Sequence, residues 1–255
     1  MGVTVHLIAH THTDPGWLST EHDYYTREVR PILDHVTHEL LEAQNSSART
    51  FVWSEVCFFA RWYAAQSERR RRAVLSLVRS GRLEFVGGGW VQHDEALPTV
   101  GAMLEQMAEG HAWLNATFGV RPSIGWQLDV FGHSAAATAV LARMGMRAVV
   151  INRINYNLKR SWRAGRALEF EWSGVAPCLH WGDRGGVLTH ALYGHYSTPK
   201  GLDFEGDGDN SAHDAAAVRQ HADRLQAIVR EVERAPHACM HMCILSCVWH
   251  VCRRS

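Results

Sequence analysis

The apolar residues of this chain fall into short blocks whose spacing alternates between two periods. Val3 to Ala9 is a largely β-branched and apolar block, the pattern of a buried strand, and it runs straight into His10-Thr11-His12-Thr13-Asp14-Pro15-Gly16-Trp17. From Tyr25 to Ala43 the apolar positions Val29, Ile32, Leu33, Val36, Leu40 and Leu41 recur at helical spacing, with Pro31 tolerated in the first turns. A short strand at Phe51–Trp53, a helix through Ala60–Ser80 ended by Gly81, and a strand at Leu83–Val86 follow. Gly87, Gly88 and Gly89 then allow close backbone approach before Trp90–Glu95. A helix over Thr99–Thr117, a strand at Ile124–Leu128 stopping at Asp129, a helix over Ser134–Gly145 and a strand at Arg147–Ile151 complete the regular part. Beyond Arg153 the pattern gives strands at Leu168–Trp172 and Val187–Leu192, a polar loop over Ser197–Asn210 and a helix over Ala212–Arg234. Strands alternating with helices predict an α/β architecture of parallel strands with helical crossovers, either a barrel or an open sheet.

Composition narrows the partners. The chain has 255 residues, 46% hydrophobic and 20% charged, which suits a folded core rather than disorder. Lys plus Arg and Asp plus Glu number 26 each, so no net field draws the chain to nucleic acid or to an anionic membrane. Arg69–Arg72 therefore reads as a solvated helix face. No apolar run reaches the roughly 20 residues of a membrane-spanning helix, and the N-terminus lacks the regions of a signal peptide; as written, the chain is expected to be soluble. Lys159 and Lys200 are the only lysines and neither sits in a Schiff-base motif. Four of the six cysteines, Cys239, Cys243, Cys247 and Cys252, lie near the C-terminus, leaving a body poor in disulfides, whereas sequons at Asn45 and Asn115 point toward a secretory compartment. Asp203, Glu205, Asp207 and Asp209 lack the bidentate Glu of a calcium loop and read as a hydrated loop.

The chemistry concentrates at strand ends. In an extended segment His10, His12 and Asp14 share one side, so two or three of them could meet one ion, or the histidines could simply bond backbone and solvent. Imidazole nitrogen with carboxylate oxygen suits zinc. Asp129 ends another predicted strand, and in parallel α/β folds such ends converge, which makes it a candidate third ligand.

These segments carry a resemblance. His12-Thr13-Asp14-Pro15-Gly16-Trp17, Trp53-Ser54-Glu55, Gly88-Gly89-Trp90-Val91 through His93-Asp94-Glu95-Ala96, Glu109-Gly110-His111, and Gly125-Trp126 through Asp129-Val130-Phe131-Gly132-His133-Ser134 resemble, in order and spacing, the α-mannosidases of glycoside hydrolase family 38 over about residues 3–237. The resemblance implies a distorted parallel β/α barrel, the family's N-terminal catalytic domain, over 1–237, with a divergent Cys-rich tail at 238–255. It implies a zinc-dependent retaining α-mannosidase acting on terminal α-linked mannose of N-glycans or free oligosaccharides; family members are lysosomal, Golgi or cytosolic. Carried over residue by residue, His12, Asp14 and Asp129 become zinc ligands, with His10 outside the set. Asp129 becomes the nucleophile that forms a mannosyl-enzyme. Trp17, Arg153 and Tyr196 match residues that contact the sugar, and Asp94 and Glu95, without a carried-over chemical role, are expected to cap or brace a loop.

The pattern breaks after Arg234-Ala235-Pro236-His237. The family places its general acid, an Asp, just beyond, yet no carboxylate occurs from Ala238 to Ser255, and the family's second zinc-binding His lies farther downstream still. The expectation is a truncated or misread end, an absent signal or anchor at the start, and little turnover by this chain alone. Cys239, Cys243 and Cys247 also recur at helical spacing beside His237, His241 and His250, a second arrangement compatible with metal. Two rival readings accompany the mannosidase: a metal-dependent carbohydrate deacetylase, and a catalytically dead mannose-binding module.

Overall fold

A computed structural model describes residues 4–43, 49–173, 186–197, 241–245 and, between 219 and 230, residues 219, 222–227 and 230. In chain order the elements are β1 (Thr4–Ile8), α1 (Glu21–Tyr24), a π-helical turn (Tyr25–Val29), α2 (Arg30–Glu42), β2 (Phe51–Trp53), α3 (Val56–Ala64) and α4 (Glu68–Arg79). There follow β3 (Leu83–Phe85), α5 (Val100–Phe118), β4 (Ile124–Gln127), α6 (Ala135–Arg143), β5 (Ala148–Ile151), α7 (Tyr156–Gly165), β6 (Glu169–Trp172), β7 (Val187–Ala191) and β8 (His241–Leu245). The calcium-like acidic run Asp203–Asp209 and the sequon at Asn45 lie outside the described residues, while Asn115 lies on α5.

Three small sheets join into one series. β8 pairs with β1 in parallel, and β2 with β3 likewise. Between them, Val52 N–H donates to Ala9 C=O at 2.9 Å beside a His10–Val52 bridge. Gly87 N–H donates to Ile124 C=O at 2.7 Å and carries the series on to β4, β5 and β7, all parallel. Successive strand ends therefore face the same way, as the predicted α/β alternation requires. β6 alone departs from it, pairing antiparallel with β7 at the edge.

The core explains the helices. Phe59, fully buried on α3, meets Trp53, Trp62, Phe85 and Phe118 with ring centroids 4.9 to 6.1 Å apart, locking α3, α5, β2 and β3 together. Emptying such an aromatic site typically costs about 3–5 kcal/mol. The predicted Ala60–Ser80 helix is two helices, because Ser67 is extended and its Oγ caps α4 by accepting from Arg70 N–H. The helix predicted from Tyr25 starts instead at Glu21, so Pro31 lies well inside it. The π-helical turn just before Pro31 falls where the missing proline N–H interrupts the helical ladder. Of the Arg69–Arg72 run, Arg70 donates to Asp34 C=O and Arg71 to Tyr63 C=O, so half of it is structural.

Two glycines place the loop that approaches the strand ends. A Cβ on Gly110 of α5 would stand 2.2 Å from Gly88 C=O, so the helix lies directly on the glycine-rich backbone, which Gly88 turns at φ +78°. His111 Nε2 donates to Gly87 C=O at 3.0 Å from the same helix. In the C-terminal part, residues 222–227 are helical as expected. His241–Leu245 is a strand paired in parallel with β1; of the residues in the second metal arrangement, His237, Cys239, Cys247 and His250 lie outside the described residues.

Candidate active site

Beyond β1 the chain stays extended, burying His10 completely and leaving His12 only 5% exposed. The two rings have different neighbours. His10 meets the Trp126 ring edge-on at 5.4 Å. His12 Nε2 faces Asp14 Oδ1 at 3.4 Å and Asp129 Oδ2 at 3.5 Å, the latter carboxylate carried two residues past the end of β4. One ligand atom from each of His12, Asp14 and Asp129 lies within 4.8 Å of the others, which makes these three a group able to hold a cation. The structure thus brings together the three residues that the sequence singled out and leaves His10 aside.

His12 Nε2 has no correctly directed hydrogen-bond partner, although the Asp14 and Asp129 carboxylates stand close to it. A buried imidazole surrounded in this way fits a position between the ligands for an ion. One imidazole nitrogen and two carboxylate oxygens are donor types that divalent metal ions, zinc among them, accept. On the far side Glu55 Oε1 lies 3.2 Å from His12 Nδ1. Glu55 is itself fully buried and receives Gln92 Nε2 at 2.9 Å, so its aim is fixed. Burial opposes charge on His12, but Asp129, Asp14 and Glu55 outweigh it and raise the imidazole well above its ordinary pKa. With no such partners close enough to compensate, burial pulls His10 down to about 4.

The two oxygens of Asp129 are differentiated. Oδ2 faces His12, whereas Oδ1 accepts from Arg153 Nε at 2.6 Å, from a second nitrogen of the same guanidinium, and from the Tyr196 hydroxyl at 2.7 Å. Burial would raise this carboxyl, but His12, Tyr196 and Arg153 hold it well below the usual range, so it stays ionised. Burial and the Asp129 charge push the Tyr196 phenol up to about 12, which keeps it a donor.

These groups open onto a cleft of about 550 Å³, within the size range of small-ligand sites. Two exposed rings line it, Trp17 at 67% and Phe131 at 68% exposure, with the Arg153 guanidinium 4.5 Å above the Phe131 ring. Asp94 and Glu95 act on the turn after Asp129. Asp94 Oδ1 accepts from Phe131 N–H at 3.2 Å and Glu95 Oε2 from Ser134 N–H at 2.6 Å, bracing the backbone that carries the ring and the carboxylate.

Sequence reasoning quoted Glu55 within a motif but gave it no part. Its signal was a lone carboxylate set between an apolar strand and an apolar helix, where an unpartnered charge would be costly. The sequence pattern likewise gave no helix at α7, which carries Lys159 and Arg163.

A parallel α/β fold with acidic and imidazole groups gathered at its strand ends has them where enzymes of this architecture carry their chemistry, and the comparisons narrow the class. The family model described as "Glycosyl hydrolases family 38 N-terminal domain" matches residues 2–241, and the chain belongs to that family. It is 34% identical over 204 residues to alpha-mannosidase F of Dictyostelium discoideum, covering 80% of this chain and 20% of that protein. It is 39% identical over 168 residues to alpha-mannosidase 2 of Rattus norvegicus, covering 66% of this chain and 14% of the relative. Among solved structures, an alpha-mannosidase from Enterococcus faecalis V583 shares the fold at a TM-score of 0.65 and 17% identity, covering 94% of this chain and 24% of that one. The chain thus spans about a fifth or less of the length of these curated relatives. Among the described residues no helix is long and apolar enough to cross a membrane.

Proposed function

We propose that this chain carries the N-terminal catalytic domain of a zinc-dependent retaining α-mannosidase acting on terminal α-linked mannose of N-glycans or free oligosaccharides. The observation that carries the proposal is the convergence of His12, Asp14 and Asp129, remote in sequence, within 4.8 Å at the mouth of one cleft in a family 38 chain. His12, Asp14 and Asp129 would hold the zinc, whose contribution when bound is to engage sugar hydroxyls and so orient and distort the ring.

The chain's own residues supply the rest. Arg153 and Tyr196 keep Asp129 ionised and fix its rotation, so that the carboxylate is preorganised to attack the anomeric carbon and form a mannosyl-enzyme. Trp17 offers a flat ring to the apolar face of the pyranose. Glu55 orients His12 from behind. We assign no residue of this chain as general acid, the part that protonates the leaving oxygen. An aryl mannoside, whose leaving group needs no proton, is accordingly expected to be cleaved faster than a mannose disaccharide.

The deacetylase rival shares the residue types, but the family match and both relatives above point to glycoside cleavage. Zinc-loaded chain incubated with p-nitrophenyl α-mannoside, followed by proton NMR, tests the proposal. Initial release of α-mannose supports it; initial release of β-mannose overturns the retaining mechanism. Release of acetate from an N-acetylated sugar polymer in place of mannoside cleavage overturns the activity.

A further inference from the structure

Both donors to Asp129 Oδ1 reside on loops. Arg153 follows β5 by two residues and Tyr196 follows β7 by five, and neither position is held by sheet pairing. What joins them is α7, which Asn155 starts by capping Asn157 and Leu158 N–H groups. Lys159 and Arg163 stand one helical turn apart on one face of α7. Lys159 Nζ donates to Asn152 C=O at 3.0 Å, to Asn152 Oδ1 at 2.9 Å and to Gly194 C=O at 2.7 Å. Its ammonium thus ties the residue before Arg153 to a residue two before Tyr196. Arg163 adds a bond to Tyr193 C=O and lies 4.4 Å over the Tyr193 ring. Lys159 itself does not line the cleft.

We propose that Lys159 is a positioning residue: by cross-linking the β5 and β7 loops it makes Arg153 and Tyr196 converge on one oxygen of Asp129, leaving the other toward His12. The proposal rests on the metal reading of the site given above and extends it to a residue outside the cleft. An ammonium suits the part because three acceptors converge on it and its three N–H donors match them one for one. Burial draws its pKa down to about 8, so at pH 7 the donors are complete.

The test uses the full chain at pH 7. Zinc affinity is read by competition with a chelating dye, and the metal-free chain is read by fluorine NMR with 3-fluorotyrosine, the Tyr196 signal being assigned by its loss in Tyr196→Phe. Lys159→Met is expected to lower zinc affinity about tenfold, the low end of what losing an outer partner costs, and to shift or broaden the Tyr196 signal. Lys159→Arg, which keeps N–H donors at that position, is expected to recover most of both. In an Arg153→Met/Tyr196→Phe background Lys159→Met should cost nothing further, since its route to Asp129 is already cut. Asn152→Ala, which removes one acceptor only, should give the same signs at smaller size should Lys159→Met fail to fold. Arg70→Met, removing a cation-to-carbonyl link far from the cleft, should leave the Tyr196 signal in place. Wild-type affinity and an unmoved Tyr196 signal in folded Lys159→Met overturn the proposal, as does an equal loss in the double background. A wild-type chain that binds no zinc overturns the metal reading, while the fluorine signal still decides the cross-link.

Discussion

His10 and His12 stand two residues apart on one extended segment, both buried, and their surroundings separate them completely. The wall around His10 is Trp126 and backbone, and there burial is the largest influence, favouring the neutral ring. The cup around His12 holds three carboxylates, and there charge overrides burial. The same residue type at the same period thus becomes a packed ring in one case and a candidate ligand in the other. What decides is the partner delivered by a distant strand: Trp126 from within β4, Asp129 from just beyond its end.

Removing a ligand separates the two histidines most sharply. A four-ligand structural zinc site is worth about 10–16 kcal/mol, or about 2.5–4 kcal/mol per ligand. His12→Ala or Asp129→Asn should therefore weaken zinc binding several hundred-fold in dye competition, whereas His10→Gln should leave it within about twofold.

Next comes pH. His10 has a folded pKa of about 4 against an ordinary 6.5, so between those values the unfolded chain binds the extra proton. The contribution is fully present above pH 6.5 and is lost as pH falls to about 4, amounting to about 3 kcal/mol. Urea denaturation across that window should show this loss for the wild type and a correspondingly flatter profile for His10→Gln.

Glu55→Gln sharpens the comparison from behind the cup. Withdrawing that charge should lower zinc affinity by about 10- to 100-fold, the range for an outer partner of a metal-bound histidine. The smallest effect is Glu95→Gln, which weakens the brace on Ser134 N–H and should cost about 1–2 kcal/mol of stability in denaturant titration with only a minor change in zinc affinity.

Much of this was legible in the sequence because it depends on short-range periodicity. The blocks at Phe51–Trp53, Leu83–Val86, Ile124–Leu128 and Arg147–Ile151 became strands within a residue or two, since short blocks rich in apolar residues are the pattern of strands with a buried face. His12, Asp14 and Asp129 were found through motif resemblance, and strand-end convergence gave the physical reason for their meeting. Spacing alone left His10 in play, because alternation specifies a side of the strand and not what stands opposite. Helix α7 is hard to see in the sequence because its inward face is mostly polar: Lys159 and Arg163 face backbone carbonyls, and Trp162 packs against the core beside them. Glu55 was quoted without a role because a carboxylate that acts by aiming another residue leaves no spacing signature of its own.

Zinc stoichiometry reads the shared-ion site most directly. After zinc loading and removal of free metal, elemental analysis of the purified full chain should give about one zinc per wild-type chain and none above background for His12→Ala/Asp14→Ala/Asp129→Asn. Absence of zinc from the wild type, or equal zinc in the triple variant, would contradict the claim that these three side chains share an ion.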